Sequence, residues 1–335
     1  MKFAYFFRVS LFDLGQREKL IQSYMEGYIM KQSIRGLAAA FVLACSSGVV
    51  LAGPVVIGGD DLTEHGSRTG GITIAGQNNK GWLYIEKAVS NVLNSQTRAG
   101  ALTHDIVALG STDSTALSGN AGASIHFAGL ELSKSVLYVD TAAAIDQFFL
   151  NLTSGLVNPG MLWFSGTGAV NDLDAAEGAA LTAHAAHINA FGASGGGIMG
   201  HGSGSTAYGW LSALLPGLTE NTSCNSSGAT LTAAGAAAFP GLSNSDIDAN
   251  AGPCHSSFAG NFGGLTTLAF DGSSPSRSYI IGGGAGTVIQ CGQPDQPPCT
   301  SNVPEPGSLP LALLAVIGLF VTQLRRRSGA AKSDR

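Results

Sequence analysis

Charge is scarce in this chain, and positive charge scarcer still. Of 335 residues only 12% are charged and 7% aromatic, whereas 44% are hydrophobic and 47 are glycine. Between Gly53 and Asn302 there are 6 Lys and Arg against 17 Asp and Glu, hence a formal charge of −11. So acidic a body repels a phosphate backbone, which disfavours nucleic-acid binding. Charge-driven disorder is disfavoured too, because the apolar fraction is large enough for a packed core. No C-x-x-C pair occurs, and no cysteine lies between Cys45 and Cys224. A thiol nucleophile is therefore missing from that whole stretch. Serine does not replace it: in His201-Gly202-Ser203-Gly204 the glycine that a G-x-S-x-G nucleophile elbow needs at 201 is absent.

The other 11 basic residues lie in the first 35 positions and the last 11, each set beside an apolar run. Near the start, Lys31 and Arg35 precede the apolar stretch Leu37–Leu51, and Val50-Leu51-Ala52 puts small residues at −3 and −1 before Gly53. That order reads as a secretion signal over residues 30–52, with residues 1–29 a non-native extension rather than a domain. Cys45 also permits lipid attachment, although Val42-Leu43-Ala44-Cys45 fits that pattern poorly. At the other end Val303-Pro304-Glu305-Pro306 leads into the apolar run Leu309–Leu324, closed by Arg325-Arg326-Arg327. As a transmembrane helix those 16 residues span about 24 Å, a little short of a bilayer core of roughly 30 Å. The arginines keep residues 328–335 in the cytoplasm. An ordinary single-span anchor has the same outline, but the order Pro-Glu-Pro, short apolar helix, arginine cluster resembles the PEP-CTERM sorting signal of bacterial exopolysaccharide-associated proteins. The resemblance covers residues 303–327. It implies an exosortase-type transpeptidase as partner, inner-membrane anchoring before processing, and a cell-surface or extracellular destination.

Removal of the secretion signal takes Cys45 away and leaves Cys224, Cys254, Cys291 and Cys299, an even number in an exported chain. Four cysteines allow three pairings, and proximity in sequence favours Cys224–Cys254 with Cys291–Cys299. Zinc is the rival reading, yet only His255 adjoins a cysteine. Disulfides are expected, with no metal and no cofactor assigned.

Within residues 53–290 short apolar runs alternate with helical patterns. Val55–Ile57, Ile106–Leu109, Val136–Val139, Met161–Phe164 and Ile198–Met199 read as strands, and Leu265–Phe270 and Tyr279–Ile281 as closing strands. Between them Trp82, Ile85, Val89 and Val92, then Ile145, Phe148, Phe149 and Leu152, then Leu181, Ile188 and Phe191 recur at helical spacing. Asp174 with Glu177 marks a helix start, and a further helix is predicted over residues 208–215. Strands that are apolar throughout, separated by amphipathic helices, predict an α/β domain with a mainly parallel sheet covered on both faces. In such sheets sites form at the carboxyl ends of strands, here the loops 58–66, 110–114, 165–172 and 200–206. Residues 291–302 read as a linker.

Met161–Gly217 combines a strand ending near Gly166, a helix led by Asp174 and Glu177, the turn Gly195–Gly197, a short strand, His201 and a Trp-containing helix. This stretch resembles the ThuA-like branch of the class I glutamine amidotransferase-like superfamily. The loop Asp60–Gly66 with His65, and Phe239-Pro240-Gly241-Leu242, are similar to that branch as well. The resemblance covers most of the body and implies a flavodoxin-like three-layer fold. One departure matters: those amidotransferases carry a nucleophilic cysteine at the sharp strand-to-helix turn, where this chain has His201 between Gly200 and Gly202. Thiol glutaminase chemistry is therefore unsupported.

Asp60, Asp61, His65 and His201 are the candidate site residues, as a general acid–base set or a weak metal site. The alternative is a His201 that merely packs in its turn. His201 is expected at the mouth of the crevice, with Gly200 and Gly202 permitting a sharp reversal and the next helix aiming its free amides at the same place. His184 and His187 read as a solvated pair on a helix. Two functions follow. One is a non-catalytic envelope or matrix protein that binds a ligand such as exopolysaccharide or another glycan, favoured by the absence of any specific catalytic motif. The other is a carbohydrate-active or hydrolytic enzyme with a His201-centred crevice. N-terminal sequencing of the exported product is expected to begin at Gly53; a mature chain starting upstream of Met30 overturns this processing scheme.

Overall fold

The computed structural model describes residues 53–166, 170–202, 209–225, 227–249 and 252–284. The secretion signal, the linker, the Pro-Glu-Pro motif, the apolar run 309–324 and the cysteines Cys291 and Cys299 lie outside them. Among the described residues no helix is long and apolar enough to cross a membrane.

Five strands form the parallel half of one sheet: β1 (Val55–Gly58), β4 (His104–Leu109), β5 (Val136–Val139), β6 (Pro159–Phe164) and β7 (Gly197–Gly200). Their order is β5-β4-β6-β7-β1, and each neighbouring pair is parallel. β1, β6 and β7 are buried at every position, which is why they read as unbroken apolar runs rather than alternating ones. The order β5-β4-β6-β7 is that of the first four strands of a flavodoxin-like sheet, 2-1-3-4. The fifth place is taken by the first strand of the chain.

The expected parallel sheet is present and is continued by antiparallel strands, so the sheet as a whole is mixed. Beyond β1 lies β12 (Ser278–Gly283), antiparallel to it, followed by β10 (Ser257–Gly260) and β8 (Leu218–Asn221), again antiparallel. β11 (Thr266–Phe270) also pairs with β12, through a register shift, and β9 (Thr230–Leu231) pairs with β11. The two closing strands seen in the sequence are thus part of a five-stranded antiparallel extension. Several of its members are too short and too polar to carry a periodic signal. A separate antiparallel hairpin, β2 (Gly66–Thr69) with β3 (Gln77–Lys80), leads into α1 (Gly81–Ser95).

Helices cover both faces. Val56, Ile106, Ala108, Met161 and Trp163 point to the face packed by α1, α2 (Ala121–Leu132), α7 (Ala233–Ala238) and α8 (Asn244–Asp248). Val55, Ile57, Val107, Leu109, Leu162 and Phe164 point to the other, packed by α3 (Ala142–Thr153), α4 (Ala175–Ala183), α5 (Ala185–Ala193) and α6 (Leu211–Leu214). The period-two alternation along each strand feeds two cores at once.

The expected helix start at Asp174 is a full capping box. Asp174 Oδ1 accepts the Glu177 N–H at 2.8 Å and Glu177 Oε2 accepts the Asp174 N–H at 2.7 Å. Glu177 Oε1 also takes the Thr141 N–H at 2.6 Å, tying the starts of α3 and α4 together. The stripe Leu181, Ile188, Phe191 is divided between α4 and α5, which break at His184. α2 escaped sequence reading because AGASIHFAGLEL is apolar or small nearly all round and shows no one-sided stripe. The helix expected over 208–215 is a single turn, α6.

Cys224 and Cys254 form a disulfide with Cα atoms 5.7 Å apart. It joins the end of β8 to the segment before β10 and closes a loop with a sequence separation of 30. Replacing both cysteines with serine is expected to lower unfolding stability by about 3 kcal/mol. Urea denaturation with and without the pair measures it, and an unchanged midpoint counts against the bridge.

Candidate functional site

The site begins where β1 and β7 end. Ile57 is in register with Gly200, so Asp60 and His201 emerge side by side past neighbouring carboxyl ends. Gly59 is gripped on both sides: its N–H donates to the Tyr279 carbonyl at 2.9 Å, and its carbonyl accepts from His255 N at 2.9 Å and Ser256 N at 3.0 Å. A Cβ on Gly59 would lie 1.9 Å from the Ser256 carbonyl oxygen, so the close approach admits only glycine there.

His201 Nδ1 and Asp60 Oδ1 are 2.6 Å apart, and both side chains are 0% exposed. Asp60 Oδ1 also accepts the Leu62 N–H at 3.1 Å, and the Asp60 carbonyl accepts the Gly202 N–H at 2.9 Å. Trp163 and Tyr84 stand edge-on to the imidazole, with ring centroids at 5.5 and 6.1 Å. His201 is therefore sealed beneath the strand ends rather than open to solvent as expected. Gly200 contributes no left-handed reversal; a Cβ there would meet Trp210 Cζ2 at 3.2 Å. A four-residue α6 supplies no anion site. Burial pushes the Tyr84 hydroxyl well above its ordinary range, and the nearby Asp60 adds to this.

Asp61 faces the other way. Its Oδ2 is 2.8 Å from His255 Nε2 and its Oδ1 is 3.5 Å from His65 Nε2. The turn from Asp61 to His65 is closed by Glu64 N and His65 N donating to the Asp61 carbonyl at 2.8 and 3.3 Å. That turn brings Asp61, Glu64 and His65 to one side. Trp82 Nε1 donates to the Thr63 carbonyl at 2.7 Å and anchors it. His255 arrives from the segment before β10, where Asp60 bridges to Cys254 and Asp61 N donates to the Pro253 carbonyl at 3.0 Å. The disulfide at Cys254 holds that segment.

All four sequence candidates thus gather at one place, but as two groups, Asp60–His201 sealed and the buried Asp61 paired with the partly exposed His65. His255 and Glu64 were missed as site residues. His255 is 194 residues from Asp61, and its only local sign was the neighbouring cysteine. Glu64 was legible as the fourth residue of Asp61-x-x-Glu64-His65.

The other strand-end loops hold less chemistry. Asn171 Oδ1 accepts Thr112 N and Oγ1, each at 2.9 Å, and Asn171 Nδ2 donates to the Thr112 carbonyl at 2.7 Å. These bonds tie Thr112 to Asn171. His184 and His187 meet through their Nδ1 atoms at 3.0 Å, and His184 Nε2 is 2.9 Å from Asp146. Asp271, near the disulfide, is saturated by Asn225, Ser273 and Arg277 N–H groups and the Ser273 hydroxyl.

Fold and site together describe an α/β domain with an aspartate–histidine network at the carboxyl ends of adjacent parallel strands. The chain matches no known protein family, no curated protein and no solved structure.

Burial alone would raise the Asp61 carboxyl, but hydrogen bonds from His255 and His65 outweigh it and hold it below its ordinary value of 3.8. Hydrogen bonding to Asp61 raises both His65 and His255 above 6.5, against partial burial. A lowered acid stabilises above its unfolded value and fails as pH falls through the folded one; a raised base stabilises below its unfolded value and fails as pH rises through the folded one. The network therefore contributes most between 3.8 and 6.5. The melting-temperature gap between the native chain and Asp61→Asn, measured with EDTA present, is expected to be larger at about pH 5 than at about pH 9. An equal gap at both pH values refutes the assignment.

Proposed function

We propose that this chain is an exported envelope or extracellular-matrix protein, sorted by an exosortase-type transpeptidase through residues 303–327. Its amidotransferase-like body binds a glycan, exopolysaccharide in the first instance, and does not hydrolyse one. The observation that carries the binding reading is the division of the site. The Asp60–His201 pair is sealed at 0% side-chain exposure, so it braces the ends of β1 and β7 and has no reach to a substrate. The Asp61–His65–His255 group is half-open, with 28% of the His65 side chain and 43% of the His255 side chain exposed. Hydrogen-bonding side chains on a rigid strand-end scaffold suit sugar hydroxyls. Among the described residues no serine, threonine or cysteine hydrogen-bonds to any of these three histidines. The Cys224–Cys254 disulfide supports an oxidising, extracytoplasmic location.

The rival hydrolase reading has one observation in its favour. His201 Nε2 is buried without a hydrogen-bond partner among the described residues, as are Asp60 Oδ2 and the Tyr84 hydroxyl. A base whose second nitrogen is held by a carboxylate fits general catalysis once a nucleophile reaches it.

One experiment separates them. The mature chain is co-sedimented with the exopolysaccharide fraction of an exosortase-bearing bacterium, and incubated with chromogenic glycoside and ester substrates. Asp61→Asn is expected to abolish co-sedimentation. His201→Ala is expected to leave binding intact and to cost about 2–4 kcal/mol in stability, because Asp60 stays buried and loses its partner. Turnover by the native chain that His201→Ala removes without loss of stability replaces the binding reading with the hydrolytic one.

A further inference from the structure

The geometry points to a divalent metal site on the Asp61–His65 turn, with Asp61, Glu64 and His65 as ligands and His255 as the positioning residue behind Asp61. The inference rests on the reading of this loop as the binding centre and names what makes that centre competent. Each of the three residues offers one ligand atom, and those atoms lie within 4.8 Å of one another. His65 Nε2 and Asp61 Oδ1 are already 3.5 Å apart. Two ligands on a tetrahedral ion with bonds of about 2.0–2.1 Å sit roughly 3.4 Å apart, so that pair needs almost no adjustment and Glu64, exposed on the turn, is free to close on the ion.

A second observation concerns the burial and orientation of the Asp61 carboxylate. Asp61 is only 6% exposed, and its buried Oδ1 makes no close hydrogen bond among the described residues, its nearest charged neighbour being His65 Nε2 at 3.5 Å. A buried carboxylate oxygen whose nearest partner is this distant has room for a cation between itself and the imidazole, and a cation there offsets its desolvation. The other oxygen, Oδ2, is held by His255 Nε2 at 2.8 Å, which leaves Oδ1 turned toward His65. A carboxylate ligand fixed from behind by a hydrogen-bond donor is the arrangement by which an outer partner orients a metal ligand. Two carboxylates and a neutral imidazole balance a dication, and the mixed nitrogen and oxygen set selects a first-row ion such as Zn²⁺, Co²⁺ or Mn²⁺ over Ca²⁺. Three protein ligands leave at least one coordination position open, which a sugar hydroxyl or carboxylate fills.

The test is titration of Co²⁺ into the EDTA-treated mature chain, followed by visible absorption and calorimetry, then displacement by Zn²⁺. One ion per chain is expected. Glu64→Gln, which changes only an exposed side chain and leaves the fold intact, is expected to weaken binding at least tenfold. His255→Gln is expected to weaken it 10–100-fold, in the range found for outer-shell partners. His184→Gln, on the other side of the sheet, is the control and leaves it unchanged. No stoichiometric Co²⁺ binding, or binding that Glu64→Gln leaves intact, overturns the site; loss on His184→Gln moves the ion to the His184–His187 pair and overturns it equally. Glycan co-sedimentation is run alongside with and without EDTA. Glycan bound at full strength in EDTA by a chain that takes up no Co²⁺ sinks the metal site and leaves the glycan reading standing. One bound Co²⁺ with no glycan retained does the reverse.

Discussion

The architecture turns on β1. It is the seam between the parallel and antiparallel halves, bonded to β7 on one edge and to β12 on the other. Its residues Val55, Val56 and Ile57 are at most 1% exposed and feed both cores. A strand saturated on both edges and buried on both faces has no freedom in how it ends. Past Gly58 the chain is clamped at Gly59 between β12 and the segment before β10. The two aspartates that follow must then diverge. Asp60 turns inward to His201 and Asp61 outward to His65 and His255.

The inner and outer groups differ in energetic meaning. A sealed ion-pair-like contact carries a large desolvation cost, and its presence is poor evidence that it was placed for stability alone. Breaking it is another matter, because the survivor stays buried. The outer network is partly solvated, and pairs of that kind are typically worth 0–1 kcal/mol each. Such contacts cannot by themselves hold the segment that carries His255. The disulfide at Cys254 is several times stronger by this measure, and it lies next to the residue it steadies.

Scarcity of basic residues shapes the same region. Among the described residues the ion pairs of Asp60 and Asp61 are all with histidine. Arg68 is committed elsewhere, to Asn78 and Glu131 with its plane over Phe127. Carboxylates answered by histidines rather than by lysine or arginine are compensated in charge only while those histidines are protonated.

The sequence by itself determined the class of the domain and where to look in it. Fully buried strands must be apolar throughout, so β1, β6 and β7 were visible as runs, as were the partly buried β4 and β5, and the Asp174–Glu177 box announced its helix because capping is a local interaction. The rule that sites lie at strand ends pointed to Asp60, Asp61, His65 and His201, and the fold gathers them past the ends of β1 and β7 as two pairs. Only the tertiary structure decided the rest. β8, β9 and β10 are stabilised by pairing with distant strands and have no period of their own; α2 is buried on too many sides to show a stripe. Adjacent aspartates look alike in sequence, and which one is sealed and which is reachable is set by the clamp on Gly59. His255 joins Asp61 across 194 residues. A contact made through a sheet edge and a disulfide leaves no trace in the spacing of the residues that make it.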